Sequence, residues 1–310
     1  MNPRNDAGRL LTAIYKNRLS YVLILPGILY FLIFNYLPMY GLIIAFKDIK
    51  TVMTLQNIIS APFVGLKQFQ RFTSSYFFWN IMNNTLAISL MKIVIGFPLP
   101  ILFSLLLNEV RKAAFKRTVQ TISYMPHFIS MVVLCALVQI VLSPSGGVVN
   151  RISGLFGNEP VYYLGDPKYF RMIIVLSSVW KELGWSSIIY LAAIAGINPE
   201  LSEAAAIDGA GRIRQVWHVI LPGIKPTIVI LFILRIGGIM NAGFEEILLL
   251  YSPPVYSVGD ILDTYVYRVG IEQMNYSLSA AVGFFKSIIS FVMVLGTNWF
   301  ANRLGEEGLW

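Results

Sequence analysis

The chain has 310 residues, of which 56 % are hydrophobic and 13 % charged, and its mean hydropathy is +0.66. A soluble domain carries about 25 % charge, so this composition excludes a water-soluble globular fold and makes lipid the solvent for most of the chain. The net charge of +8 fits basic loops that set membrane topology better than a nucleic-acid surface, and one cysteine with two histidines excludes an internal disulfide and argues against a metal site.

A spanning helix needs about 20 apolar residues. The uncharged stretch Leu19 to Phe46 far exceeds the roughly 7–15-residue core of a signal peptide. It reads as a retained first span, 21–46, after a cytoplasmic segment 1–20 bearing Arg4, Arg9, Lys16 and Arg18. In the outer segment that follows, Phe63 to Phe69 and Phe72 to Trp79 are rich in aromatics, as at a membrane–water interface. Spans at 79–107, 122–142 (holding Cys135), 170–195, 227–250 and 278–302 complete an all-α membrane protein of about six helices. The spanning domain is 21–303, and a cytoplasmic tail occupies 304–310. Backbone groups in hydrocarbon must pair within their own segment, so helices are expected, with Pro26, Pro38, Pro98 and Pro100 as kinks. The alternating strands of a β-barrel are absent. Lys and Arg number 12 on the predicted inner segments and 7 on the outer ones, which puts both termini in the cytoplasm.

Several charges interrupt the later spans: Lys92, then Lys181 and Glu182, then Arg235, Glu245 and Glu246, and finally Lys286. Each costs about 2.5–3.5 kcal/mol near the midplane, so it faces the bundle interior or water. Lys92 and Lys286 are expected to snorkel, or to pair across an interface with a second subunit. Glu246 falls three turns from Arg235 on the predicted fifth span. Ser178, Lys181, Trp185 and Ile188 share one helical stripe.

Between the fourth and fifth spans lies the most informative segment, 196–226. Pro199 suits the first turn of a helix, and Glu200 and Glu203 sit near its positive end. Ala204, Ala205 and Ala206 favour helix and leave a flat surface. Asp208-Gly209 breaks the run with a sharp turn. Arg212 to Val219 is expected to form a second short helix that Pro222 and Pro226 end. Such a helix–turn–helix with a bare alanine face suits docking into a groove of another protein.

The run Glu203-Ala-Ala-Ala-Ile-Asp-Gly-Ala-Gly, followed by Ile220-Leu-Pro222, resembles the EAA loop of binding-protein-dependent ABC importer permeases, closest to the maltose and glycerol-phosphate type. Trp217 departs mildly, since family members often have Phe there. The resemblance covers nearly all of the chain from about residue 20 onward. It implies a type I ABC importer permease fold in a bacterial cytoplasmic (inner) membrane. The implied partners are a second, homologous permease in a heterodimer, two cytoplasmic ATPase subunits, an extracytoplasmic solute-binding protein and an oligosaccharide. No G-x-x-x-x-G-K-[ST] is present, so ATP and Mg are expected on the ATPase partners rather than on this chain.

In the implied arrangement Glu203 meets a basic residue of the ATPase, Ala204 to Ala206 pack in its cleft, and Asp208 with Gly209 makes the turn. Arg212 and Arg214 add charge contacts, and Pro222 closes the motif. The resemblance also places a substrate path near Ser178, Lys181, Glu182, Trp185 and Arg235. Trp185 would offer a ring face to a sugar, against the plainer reading that Trp180 and Trp185 pack between helices. Lys181 and Arg235 would match a carboxylate-bearing sugar. A secondary transporter or channel for a polar solute explains the spans but not the EAA run, and the inverted halves it would show are not visible. A membrane enzyme would need a reactive pair, and Lys181 and Glu182 point about 100° apart on a helix.

Overall fold

The computed structural model describes residues 16–49, 54–303 and 305. The predicted cytoplasmic segment up to residue 15, and the tail 304–310 apart from Gly305, lie outside the described residues. Five helices are long and apolar enough to cross a bilayer, and a sharply bent pair makes six. They are α1 (Arg18–Phe46), the α4–α5 span (Phe78–Asn108, divided into Phe78–Gly96 and Pro98–Asn108), α9 (Pro167–Ala195), α11 (Arg212–Gly237) and α14 (Tyr276–Arg303). The bent pair is α6 (Ala113–Phe128) and α7 (Met131–Leu142). Shorter helices are α2 (Leu55–Ser60), α3 (Lys67–Thr73), α8 (Val148–Leu155), α12 (Phe244–Leu250) and α13 (Leu262–Tyr267). Helix α10 (Pro199–Ile207) precedes α11.

Helix α1 stands at the edge of the bundle, with its hydropathic window entirely unburied. Apolar side chains exposed along a spanning helix are what hydrocarbon solvates, so this exposure has no aqueous penalty. Its C-terminal turns are anchored: Ile44 and Ala45 are buried, and the Phe46 ring packs on Phe63, Phe69 and Phe284. Lys47 then donates to the carbonyls of Ile58 and Ile59 at the end of α2, placing a cation at a helix C-terminus.

The interior is built by α4, α5, α9, α11 and α14. One core joins Phe72, Ile81, Met240, Leu262 and Val282. A second joins Ile88, Leu134, Phe170, Ile174, Ile247 and Ile261, and a third lies at the end of the bundle next to α10, around Leu105, Ile194, Ile220 and Ile224. Phe72, expected at the interface, is 1 % exposed and packs on Phe78, Tyr265 and Phe285. The outer segment folds back over the bundle end and covers it. Tyr76 and Trp79 in the same stretch are exposed.

Two predicted spans are not single helices. The third, 122–142, breaks after Phe128, and its halves meet at 103°. Pro126 lacks a donor for the helical ladder, Ile129 is extended, and Ser130 caps the new helix by accepting from the Val133 N–H. The twelve residues of α7 reach about 18 Å, short of a hydrocarbon core about 30 Å thick. Gly184 permits this bend to lie against α9, since any Cβ there would come 2.1 Å from the Ser123 carbonyl oxygen.

The fifth span, predicted at 227–250, is shifted. The membrane helix starts at Arg212 and ends at Gly237, and α12 follows after an unwound stretch. Pro222 and Pro226 therefore do not end a short helix at Val219. The wider turn Val216–Ile220 precedes them, and such a π-type turn relieves the clash a proline makes with the turn before it. Glycines 237, 238 and 243 fall at or after the true end.

Polar links fasten the outer loops to the bundle. Asn84 on α4 donates to the Asp260 carbonyl and accepts from Arg171 on α9. The Asp260 carboxylate takes two bonds from Arg268, at 2.6 and 3.1 Å. Burial opposes the Arg268 charge, but these bonds outweigh it and hold the guanidinium pKa above its ordinary value. Lys286, expected to snorkel or face a second subunit, is instead paired within the chain to Asp263 at 2.6 Å.

Candidate functional site

Two regions gather the residues singled out by sequence. The first is the helix–turn–helix predicted between the fourth and fifth spans. Asn198 caps α10 by accepting from the Glu200 N–H, and Pro199 occupies the first turn. At the other end the Gly209 N–H bonds the Ala206 carbonyl and the Ala210 N–H bonds the Ala205 carbonyl. That crossed pair needs a left-handed residue between helix and loop, and Gly209 supplies it with φ +79°. Glu203, Ala204, Ala206 and Asp208 are exposed, and Ala205 is half-buried. Ile207, Ile213 and Trp217 are exposed beside them, at 86 %, 76 % and 62 %. A polar loop edged by that much apolar surface is shaped for a protein partner. Arg212 reaches Glu109, just beyond α5, at 3.5 Å, and Pro222 is exposed on α11.

The second region is a cavity of about 430 Å³ inside the bundle, walled by α4, α9, α11 and the unwound stretch. Ser178, Glu182, Trp185 and Arg235 line it, together with Lys92 and Glu246. Lys181 does not. Its ammonium turns away and donates to the carbonyls of His127 at 2.8 Å, Ile129 at 2.5 Å and Pro126 at 3.5 Å. The bend between α6 and α7 interrupts the helical ladder there; the Pro126 carbonyl keeps a bond from the Ile129 N–H, and Lys181 supplies a donor to the carbonyls of His127 and Ile129. Its role is therefore to hold the bend, not to face the cavity. Glu182 lies 3.3 Å from His127 Nδ1. One face of Trp185 is covered by the His127 ring, parallel within 2° at 4.4 Å, and Phe128 meets its edge. The indole is still 42 % exposed, so one face is left for a ligand.

The hub of this cavity was not legible in sequence. Glu246, 1 % exposed, accepts from Lys92 at 2.9 Å, from Ser177 at 2.5 Å and from Ser178 at 2.5 Å. Three elements, α4, α9 and α12, are thus tied through one carboxylate. Lys92 is paired inside its own chain rather than snorkelling or facing a second subunit, because the unwinding after Gly237 turns α12 back towards α4. The same unwinding removes Glu246 from the helix that carries Arg235. Gly243, at φ +103°, allows the approach: a Cβ there would sit 2.5 Å from Lys92 Nζ. Opposite charges in two apolar spans were the available signal, since such charges tend to pair.

A bundle of apolar spans with a charged interior cavity and an exposed helix–turn–helix has the architecture of a multi-pass membrane permease. The chain belongs to the family of binding-protein-dependent transport system inner membrane components, which it matches over residues 96–306. It is 44 % identical to the polygalacturonan/rhamnogalacturonan transport system permease protein YteP of Bacillus subtilis (strain 168), over 97 % of this chain and 93 % of that one. It is 30 % identical to the arabinooligosaccharides transport system permease protein AraP of Halalkalibacterium halodurans, over 93 % of this chain and 89 % of that one. A crystal structure of a bacterial ABC transporter that imports the acidic polysaccharide alginate contains a chain with the same fold. The TM-score is 0.89 at 42 % identity, covering 96 % of this chain and all of that one. The alginate transporter has also been crystallised in complex with its alginate pentasaccharide-bound periplasmic protein, with equal likeness over 97 % of this chain.

Proposed function

We propose that this chain is one of two permease subunits of an ATP-driven importer for oligosaccharides, uronate-containing ones among them, with both termini in the cytoplasm. An extracytoplasmic binding protein delivers the sugar, and two ATPase subunits grip the permeases from the cytoplasm. The observation that carries this reading is the exposed helix–turn–helix of α10 and the start of α11, with Gly209 at its corner. Closure of the ATPases moves this loop, and α11 runs unbroken from Arg212 to Gly237. A push on the loop is thereby transmitted as a rigid-body motion to the helix that carries Arg235 into the cavity. The saccharide reading draws on the relatives, and its acidic part on Arg235, whose planar fork suits a carboxylate.

The test is made on the complex reconstituted in proteoliposomes with its binding protein. Glu203→Lys reverses the charge offered to the ATPase. Gly209→Pro removes the N–H bonded to Ala206 and forbids the positive φ. Both variants are expected to reach the membrane and to lose most binding-protein-stimulated ATP hydrolysis. Wild-type stimulation in both would sink the docking role.

A further inference from the structure

Beside the main cavity lies a smaller one of about 180 Å³, bounded by Ser89, Lys92, Leu234, Arg235, Gly238 and Asn241. Ser89 and Lys92, one turn apart on α4, are 4 % and 7 % exposed and make its floor. Arg235 and Asn241 are exposed and stand at its mouth. The floor holds hydrogen-bonding capacity that the fold leaves unused. The Ser89 hydroxyl is buried with no partner among the described residues. On the same helix Thr85 donates to the carbonyl four residues back, which is the usual refuge for such a hydroxyl. Lys92 has three N–H donors, and the structure gives one of them an acceptor, Glu246.

Charge points the same way. Lys92 and Arg235 bring two positive charges to this pocket and interact electrostatically. Glu246 neutralises one of them. Arg235 has no ion-pair partner among the described residues, so one positive charge is left over at membrane depth, where an uncompensated charge is expensive. A buried, unpaired hydroxyl beside a surplus cation calls for an acceptor that carries a negative charge.

We propose that this pocket binds one singly charged anion through the Ser89 hydroxyl, the Lys92 ammonium and the Arg235 guanidinium. Two sources have that chemistry: the carboxylate of a uronate sugar in the adjoining cavity, and a halide ion from the medium. The first source deepens the saccharide reading above and rests on it; the second does not.

The experiment is thermal unfolding of the permease in its purified transporter complex, in a chloride-free buffer of a bulky sulfonate. Sodium galacturonate, sodium chloride and neutral galactose are compared at equal concentration. Galacturonate or chloride is expected to raise Tm with dose, and galactose is not. Ser89→Ala should weaken the apparent affinity about tenfold, as expected for losing a hydrogen bond to a charged group. It should not lower the Tm of the anion-free complex, because it removes a hydroxyl with no partner. Ser89→Asp, which places a carboxylate in the pocket, should raise the anion-free Tm and abolish the response. A shift with galacturonate identifies the sugar source, and a shift with chloride alone identifies the inorganic one. No shift with either anion, or a Ser89→Ala response equal to wild type, overturns the site. Transport is not read in this assay, so that failure leaves the import role standing.

Discussion

Replacing Glu246 with alanine would strand Lys92 inside the bundle. The wild-type carboxylate accepts three hydrogen bonds from two neighbouring helices while 1 % exposed. Removing one partner of a buried ion pair costs about 3–5 kcal/mol, because the other charge is left uncompensated. Ser177 retains the Ile173 carbonyl as an acceptor, so its loss is small. Ser178 has no acceptor other than Glu246 among the described residues, and an orphaned hydroxyl adds about 1–3 kcal/mol. Lys92→Met alone should fall at the lower end of the ion-pair range, since both serines still bond the carboxylate. The double variant Lys92→Met/Glu246→Ala removes both charges and should recover much of the loss, leaving the Ser178 hydroxyl and the space vacated by the carboxylate as the residual penalty. The three variants and wild type form a double-mutant cycle, in which residues in direct contact couple by up to about 3 kcal/mol. Unfolding of the purified complex in mixed micelles, followed by tryptophan fluorescence, supplies the four stabilities. A Glu246→Ala loss below about 1 kcal/mol, the ordinary size for a point mutant, would refute the reasoning. So would strictly additive single losses.

Lys181→Met removes the donor that holds the bend and leaves the His127 and Ile129 carbonyls short of a partner. It should cost at least about 1–3 kcal/mol and lower uptake of acidic and neutral oligosaccharides alike; a loss confined to the acidic sugar would return Lys181 to the substrate path. Asp260→Ala leaves Arg268 half-buried without its bidentate acceptor. It should destabilise the complex by about 3 kcal/mol, read by the same unfolding assay, and a neutral result would show that water already satisfies that guanidinium.

The sequence by itself determined whatever is encoded within a few residues. Apolar runs of about twenty residues or more set the number of spans, because a helix needs about that length to cross the hydrocarbon. Asn198, Pro199, the three alanines and Gly209 set the helix–turn–helix, because capping and a positive φ are local requirements that those residue types meet. Where two local signals competed, sequence reasoning went astray. Hydropathy ran through Pro126 and through Gly237 to Gly243, and a continuous span was expected at each. Conversely, Pro222 and Pro226 read locally as a helix stop, and one wider turn absorbs them.

Only the tertiary structure decided which charges meet. Lys92 and Glu246 are 154 residues apart, and nothing near either one names the other. Their pairing follows from the unwinding after Gly237, the left-handed Gly243 and the packing of α12 on α7 and α4. Lys181 likewise has three acceptors because a broken helix more than fifty residues earlier exposes its carbonyls there. Low dielectric favours the pairing of such charges, but which charges pair, and with which partner, is a matter of geometry that no local pattern carries.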